Sequence, residues 1–97
     1  MRRELQKCGC LFYKTVSPGN AGFPDRLLVC PDGKIAFVEL KTDTGRLSKL
    51  QVVCHDQLRT HNANVFVVRG MAEAEDFIAK IERMYGDGKE GAEYAKS

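Results

Sequence analysis

Phe23-Pro24-Asp25-Arg26-Leu27-Leu28-Val29-Cys30-Pro31-Asp32-Gly33-Lys34-Ile35-Ala36-Phe37-Val38-Glu39-Leu40-Lys41 reads as a β-hairpin. Two apolar runs, Leu27 to Cys30 and Ile35 to Leu40, flank Pro31-Asp32-Gly33. Pro31 presets the first turn position, and Gly33 can take the left-handed conformation that closes a three-residue loop. In that register Cys30 faces Lys34, and stepping outward brings Asp25 opposite Glu39 with side chains on one face. Lys41 lies two residues beyond Glu39, so the period of two returns it to the same face. A two-residue turn would shift the register by one and scatter these groups. The turn chemistry therefore predicts two carboxylates and an ammonium converging at one end of a short hairpin.

Such a trio has a chemical use. Two neighbouring carboxylates repel unless a cation sits between them. Hard oxygen ligands suit Mg²⁺, or Mn²⁺ in its place, and such an ion keeps waters and accepts a substrate phosphate. Asp25 and Glu39 are the candidate ligands, with the main-chain carbonyl of Leu40 as a third oxygen. Lys41 would hold or activate the attacking water and offset charge on the phosphate, giving metal-assisted phosphodiester hydrolysis. A strand-end salt bridge would account for Glu39-Leu40-Lys41 alone; Pro24-Asp25 at the matching position favours a site.

Pro24-Asp25 followed by Glu39-Leu40-Lys41 matches the PD-(D/E)xK nuclease pattern. The wider string resembles the virus-type replication-repair nuclease (VRR-NUC) domain. It comprises Gly22-Phe23-Pro24-Asp25-Arg26-Leu27, Phe37-Val38-Glu39-Leu40-Lys41, Gly45-Arg46-Leu47-Ser48 and Gln51. The likeness covers about residues 9 to 70. It implies an α/β fold with a restriction-endonuclease-like core, a small mixed sheet flanked by helices. It also implies a metal-dependent DNA endonuclease, the free-standing viral members acting as homodimers on branched DNA such as four-way (Holliday) junctions. By position in the family, Lys14 would reach a phosphate near the metal, and Gln51 would contact the catalytic lysine or the water. Each has a second reading, Lys14 as an exposed strand lysine and Gln51 as a helix-cap partner. Related domains usually start with a longer helix bearing another acid; Glu4 does not match it by spacing.

Ninety-seven residues, 43% hydrophobic and 29% charged, give one domain with a modest core. We expect that domain over 1–86, with a polar, glycine-rich tail over 87–97. No apolar run is long enough for a membrane span, and Met-Arg-Arg leads into no signal region, so the expected location is cytoplasmic. Cys8, Cys10, Cys30 and Cys54 form no CxxC pair, which predicts buried reduced thiols rather than zinc. No small-molecule cofactor is expected. The net charge is only +2, but residues 1–70 carry 11 Lys/Arg against 6 Asp/Glu, while 71–97 carry 4 against 7. The basic share thus accompanies the candidate site, as phosphate binding requires.

Taken in order, Arg2 to Lys7 predicts a short helix ended by Gly9, and Cys10 to Val16 a strand. Arg46 and Lys49, just beyond the hairpin, are candidate contacts to the DNA backbone. Ser48 and Gln51 form a capping box opening a helix whose stripe is Leu50, Val53, Cys54, Gln57 and Leu58. His55 reads as a surface group. Val65 to Arg69 predicts a buried central strand, and Met71 to Tyr85 a last helix. That helix has more large apolar residues (Phe77, Ile78, Ile81, Met84, Tyr85) than one seam consumes, which fits a homodimer. Two other functions stay open: a non-cleaving DNA- or protein-binding module, and a sequence-specific endonuclease of the same superfamily.

Overall fold

The computed structural model describes residues 1–16, 19 and 21–86; the expected tail at 87–97 lies outside them. The chain runs α1 (Arg2–Lys7), β1 (Leu11–Lys14), β2 (Arg26–Val29), β3 (Ile35–Lys41), α2 (Lys49–Thr60), β4 (Asn64–Arg69) and α3 (Gly70–Tyr85). At the hairpin turn Gly33 has φ +87°. Its N–H donates to the Cys30 carbonyl at 2.9 Å, and Cys30 N–H donates to the Lys34 carbonyl at 2.8 Å. The pairs Val29–Ile35, Leu28–Ala36, Leu27–Phe37 and Arg26–Val38 follow in the expected register.

The sheet order is β1-β2-β3-β4, with β1 and β2 antiparallel to their neighbours and β4 parallel to β3. Two expectations change here. The hairpin is the centre of the sheet rather than its edge, and β4 is an edge strand rather than a central one. The apolar Val65-Phe66-Val67-Val68 run is nevertheless sheltered, because α2 and α3 cover its two faces. The right-handed β3-α2-β4 crossover rule for parallel strands puts a helix there in any case. The first strand is shorter than expected, since only Leu11 to Lys14 pair with β2.

One face of the sheet holds the main core. Leu5 of α1, Phe12, Leu28, Val38 and Val68 meet Phe77, Ile81 and Tyr85 of α3. Leu5, Leu28 and Val38 have no exposed surface at all, so even the six-residue α1 covers its share. The stripe on α3 is absorbed in the same way: Phe77, Ile81 and Tyr85 are buried, Ile78 is partly buried, and only Met84 is exposed. The surplus that suggested a partner on this helix is therefore spent within the chain. All four cysteines are free and buried, as expected.

The other face is covered by α2. Ser48 caps it, accepting from Gln51 N–H at 3.1 Å while Gln51 Oε1 accepts from Ser48 N–H at 2.9 Å. The expected stripe is rotated, however. Leu50 and Val53 are 63% and 55% exposed, whereas Cys54 and His55 are buried. The inward face thus runs through Gln51, Cys54, His55 and Leu58, one residue or about 100° around from the apolar pattern. A close approach fixes this: a Cβ on Gly22 would lie 2.3 Å from the Leu50 carbonyl oxygen and 3.1 Å from Gln51 N. Backbone packed on backbone at residues 50 and 51 turns the side chain of Leu50 away.

Candidate active site

Beyond the last ladder pair, Arg26–Val38, the register sets Asp25 across from Glu39. Asp25 is held from several sides. Its carbonyl accepts from Thr15 N–H at 2.9 Å and from Arg26 Nη1 at 2.9 Å. Its Oδ1 accepts from Leu40 N–H at 3.0 Å, and Oδ2 lies 3.7 Å from Arg26 Nη1. Thr15 also donates its hydroxyl proton to the Pro24 carbonyl.

The proline has a specific effect on the strand. Cys30–Lys34 is a hydrogen-bonded pair, and such pairs recur at every second position of an antiparallel ladder. Pro24 faces Leu40 at the next such position and has no N–H to give it. The Leu40 N–H donates to the Asp25 carboxylate, while the Pro24 carbonyl accepts the Thr15 hydroxyl proton. Pro24 thus leaves the Leu40 carbonyl without its ladder donor at the spot where Asp25 and Glu39 meet.

Glu39 is only 4% exposed. Burial, reinforced by the Asp25 carboxylate, pushes its carboxyl above the usual range, while Lys41 and Arg26 pull it back. Its Oε1 is buried with no hydrogen-bond partner. His55, expected at the surface, is instead completely buried with Nε2 3.5 Å from Glu39 Oε1. Burial, helped by Arg59, depresses the imidazole below its ordinary value, so the ring is neutral at pH 7. The rotation of α2 that exposes Leu50 is what carries His55 inward. A polar side chain four residues after Gln51 on a helix crossing the site was the available signal.

Lys41 follows Glu39 on the same face by alternation, half-buried at the end of β3. The loop behind it is pinned by a residue the sequence did not single out: Arg69 Nε donates to the Gly45 carbonyl at 2.9 Å. Arg46 and Lys49 are exposed in that loop and in the first turn of α2. Gln51 is partly buried, its side-chain oxygen taken by the cap. Lys14 stands elsewhere. It pairs with Arg26, so both belong to the face opposite Asp25, Glu39 and Lys41. With Arg26, Met1, Arg2, Phe12 and Leu40 it lines a groove of about 370 Å³. Glu4 points to the chain's own amino terminus, 2.8 Å away.

Among the described residues, no three His, Cys, Asp or Glu side chains gather as a metal cluster. What the hairpin offers is the Asp25 and Glu39 carboxylates near the Leu40 carbonyl, to which Pro24 has no N–H to give, an all-oxygen donor set that fits a hard cation.

Comparison with known proteins places the chain as a whole in a family. The family model described as "VRR-NUC domain" matches residues 5–72. A solved structure named "VRR_NUC domain" superposes with a TM-score of 0.70 at 30% identity, covering 88% of each chain. The protein named "Putative nuclease p44", from Acyrthosiphon pisum secondary endosymbiont phage 1, is 42% identical over 65 residues, 67% of this chain and 70% of its own. The four-stranded mixed sheet with flanking helices is a restriction-endonuclease-like fold. With most of its length inside the match, this chain belongs to the VRR-NUC family of nuclease domains.

Proposed function

We propose that this protein is a divalent-metal-dependent DNA endonuclease acting on branched substrates such as four-way junctions, with Mg²⁺ or Mn²⁺ as the ion. The observation that carries the reading is a Glu39 carboxylate only 4% exposed whose proton affinity is raised by burial and by the neighbouring Asp25 carboxylate, with Lys41 beside it. Asp25, Glu39 and the Leu40 carbonyl would hold the ion. Bound there, it would polarise the scissile phosphate and make an attacking water more acidic. Lys41 orients that water and offsets charge on the phosphate. Gln51 steadies Lys41 or the water from the first turn of α2. Arg46 and Lys49 hold the DNA backbone, and Lys14 reaches a phosphate from the groove that it shares with Arg26 and Leu40.

A homodimer is part of the same reading, since two equivalent sites suit a two-fold junction. The apolar surface that supports it lies on α2, where Leu50, Val52 and Val53 are all more than 40% exposed. Digestion of linear, flap and four-way DNA with Mg²⁺ and with EDTA is the test. We expect junction cleavage only with metal, by a species that sediments as a dimer. Metal-independent cleavage, or no cleavage of any substrate, would overturn the reading.

A further inference from the structure

Three buried polar atoms among the described residues have no hydrogen-bond partner, and they belong to one pair: Glu39 Oε1, His55 Nε2 and His55 Nδ1. A buried imidazole without partners costs stability with no return in packing, because an apolar side chain of the same size would fill the space better. Here the ring is wholly enclosed, and its Nε2 stands 3.5 Å from the carboxylate oxygen of a proposed metal ligand. A neutral imidazole has one N–H to give. Nε2 has the Glu39 carboxylate oxygen 3.5 Å away, while Nδ1 has no hydrogen-bond partner among the described residues.

We propose that His55 is a positioning residue for the nuclease site: its Nε2–H engages Glu39 Oε1 and leaves the other carboxylate oxygen for the divalent ion. The inference rests on the function proposed above. Its physical basis is that a carboxylate with both oxygens free can rotate, whereas one oxygen held from behind presents the other in a fixed direction. Groups that hold metal ligands in this way commonly govern affinity for the ion. The arrangement also explains why α2 turns a histidine inward and Leu50 outward. The helix is oriented by what it does to Glu39, and its apolar residues are left over.

The test measures Mn²⁺ binding by electron paramagnetic resonance for the intact protein, Glu39→Ala, His55→Leu, His55→Phe and His55→Gln, with folding followed by circular dichroism. Glutamine carries an N–H donor to about the place of Nε2; leucine and phenylalanine carry none. We expect Glu39→Ala to abolish binding and the apolar variants to weaken it about 10- to 100-fold. His55→Gln should return to within about threefold of the parent, a rescue that a purely packing role does not give. Undiminished binding in the apolar variants, or a glutamine variant as weak as they are, would overturn the proposal. Unchanged binding in Glu39→Ala would instead remove the metal site itself. Should the apolar variants not fold, ¹⁵N spectra of the parent decide: the His55 Nε2–H signal moves on addition of Mg²⁺, and an unmoved signal defeats the idea.

Discussion

Gly22 and the Leu50 carbonyl oxygen are so close that a methyl group on Gly22 would sit 2.3 Å from that oxygen. This contact ties the segment entering the hairpin to the first turn of α2. Gly22→Ala should therefore cost roughly 1–3 kcal/mol of stability, as over-packing against backbone does. It should also reduce cleavage by displacing Gln51 and His55 together. Gly33→Ala is the control: it meets open space, and its strain at φ +87° should cost about 1 kcal/mol and leave cleavage intact. Thermal melts with junction cleavage on the same samples check both.

Asp25 has two duties that different substitutions separate. Asp25→Asn keeps an oxygen for the Leu40 N–H, so the fold should hold while cleavage falls about 1000-fold or more. Asp25→Ala should lose the same activity and a further ~1 kcal/mol of stability, because the amide is left without its acceptor. Normal turnover in either variant would take Asp25 out of the mechanism.

Glu39 should be a stability liability in the metal-free protein. Its folded carboxyl sits above the ordinary 4.5, so the folded state keeps the proton longer than the unfolded state does. Stability attached to this group is thus present below about pH 4.5 and is lost as pH rises through the folded value. Glu39→Gln removes the loss and should stabilise the protein in EDTA at neutral pH by about 1 kcal/mol, while abolishing cleavage. Melting curves from pH 4 to 8 should converge at the acid end; a variant less stable than the parent at pH 8 would contradict the account.

The thiol of Cys10 is pushed from 9.0 to about 12, first by burial and then by Cys30. The unfolded chain releases this proton before the folded one, so stability should fall as pH rises from about 9 towards 12. Urea unfolding between pH 8 and 11 should show a shallower alkaline decline in Cys10→Ala than in the parent, by up to ~1.4 kcal/mol per pH unit. Parallel slopes would mean that the thiol is not held protonated.

The basic residues divide by face. Arg46→Ala with Lys49→Ala should lower the slope of log K against log salt by about two units for any DNA sequence. Lys14→Ala, on the far groove, should change it by at most about one, and cleavage little. An unchanged slope in the double variant would put the DNA on another surface.

Much of the site was legible because it is local. The Pro31-Asp32-Gly33 turn sets the register, and the register alone sets Asp25 opposite Glu39; Ser48 and Gln51 similarly announce their own helix. What could not be read depends on distant partners. Whether β3 is central or at an edge is decided by β4, which arrives after a helix, and parallel pairing has no turn signature. The face of Lys14 depends on the pairing of β1 with β2 across the connection 15–25, which has no tight-turn signature to set the register. The apolar stripe of α2 misled because periodicity assumes that burial follows hydrophobicity. On α2 the inward positions went to Gln51, Cys54, His55 and Leu58, and Leu50 and Val53 were left in solvent.

Pro24 gives the hairpin a property beyond the shape of its turn. By withholding an N–H from Leu40, it keeps one lone pair of the sheet out of the sheet's own accounting. Any other residue at that place would bring a donor to the same oxygen, in competition with the cation proposed there. The ladder could then continue past Arg26–Val38 and across the carboxylates. The proline thus coincides with the end of the ladder at Arg26–Val38, and the boundary between the scaffold and the chemistry proposed for it is set by a single missing hydrogen.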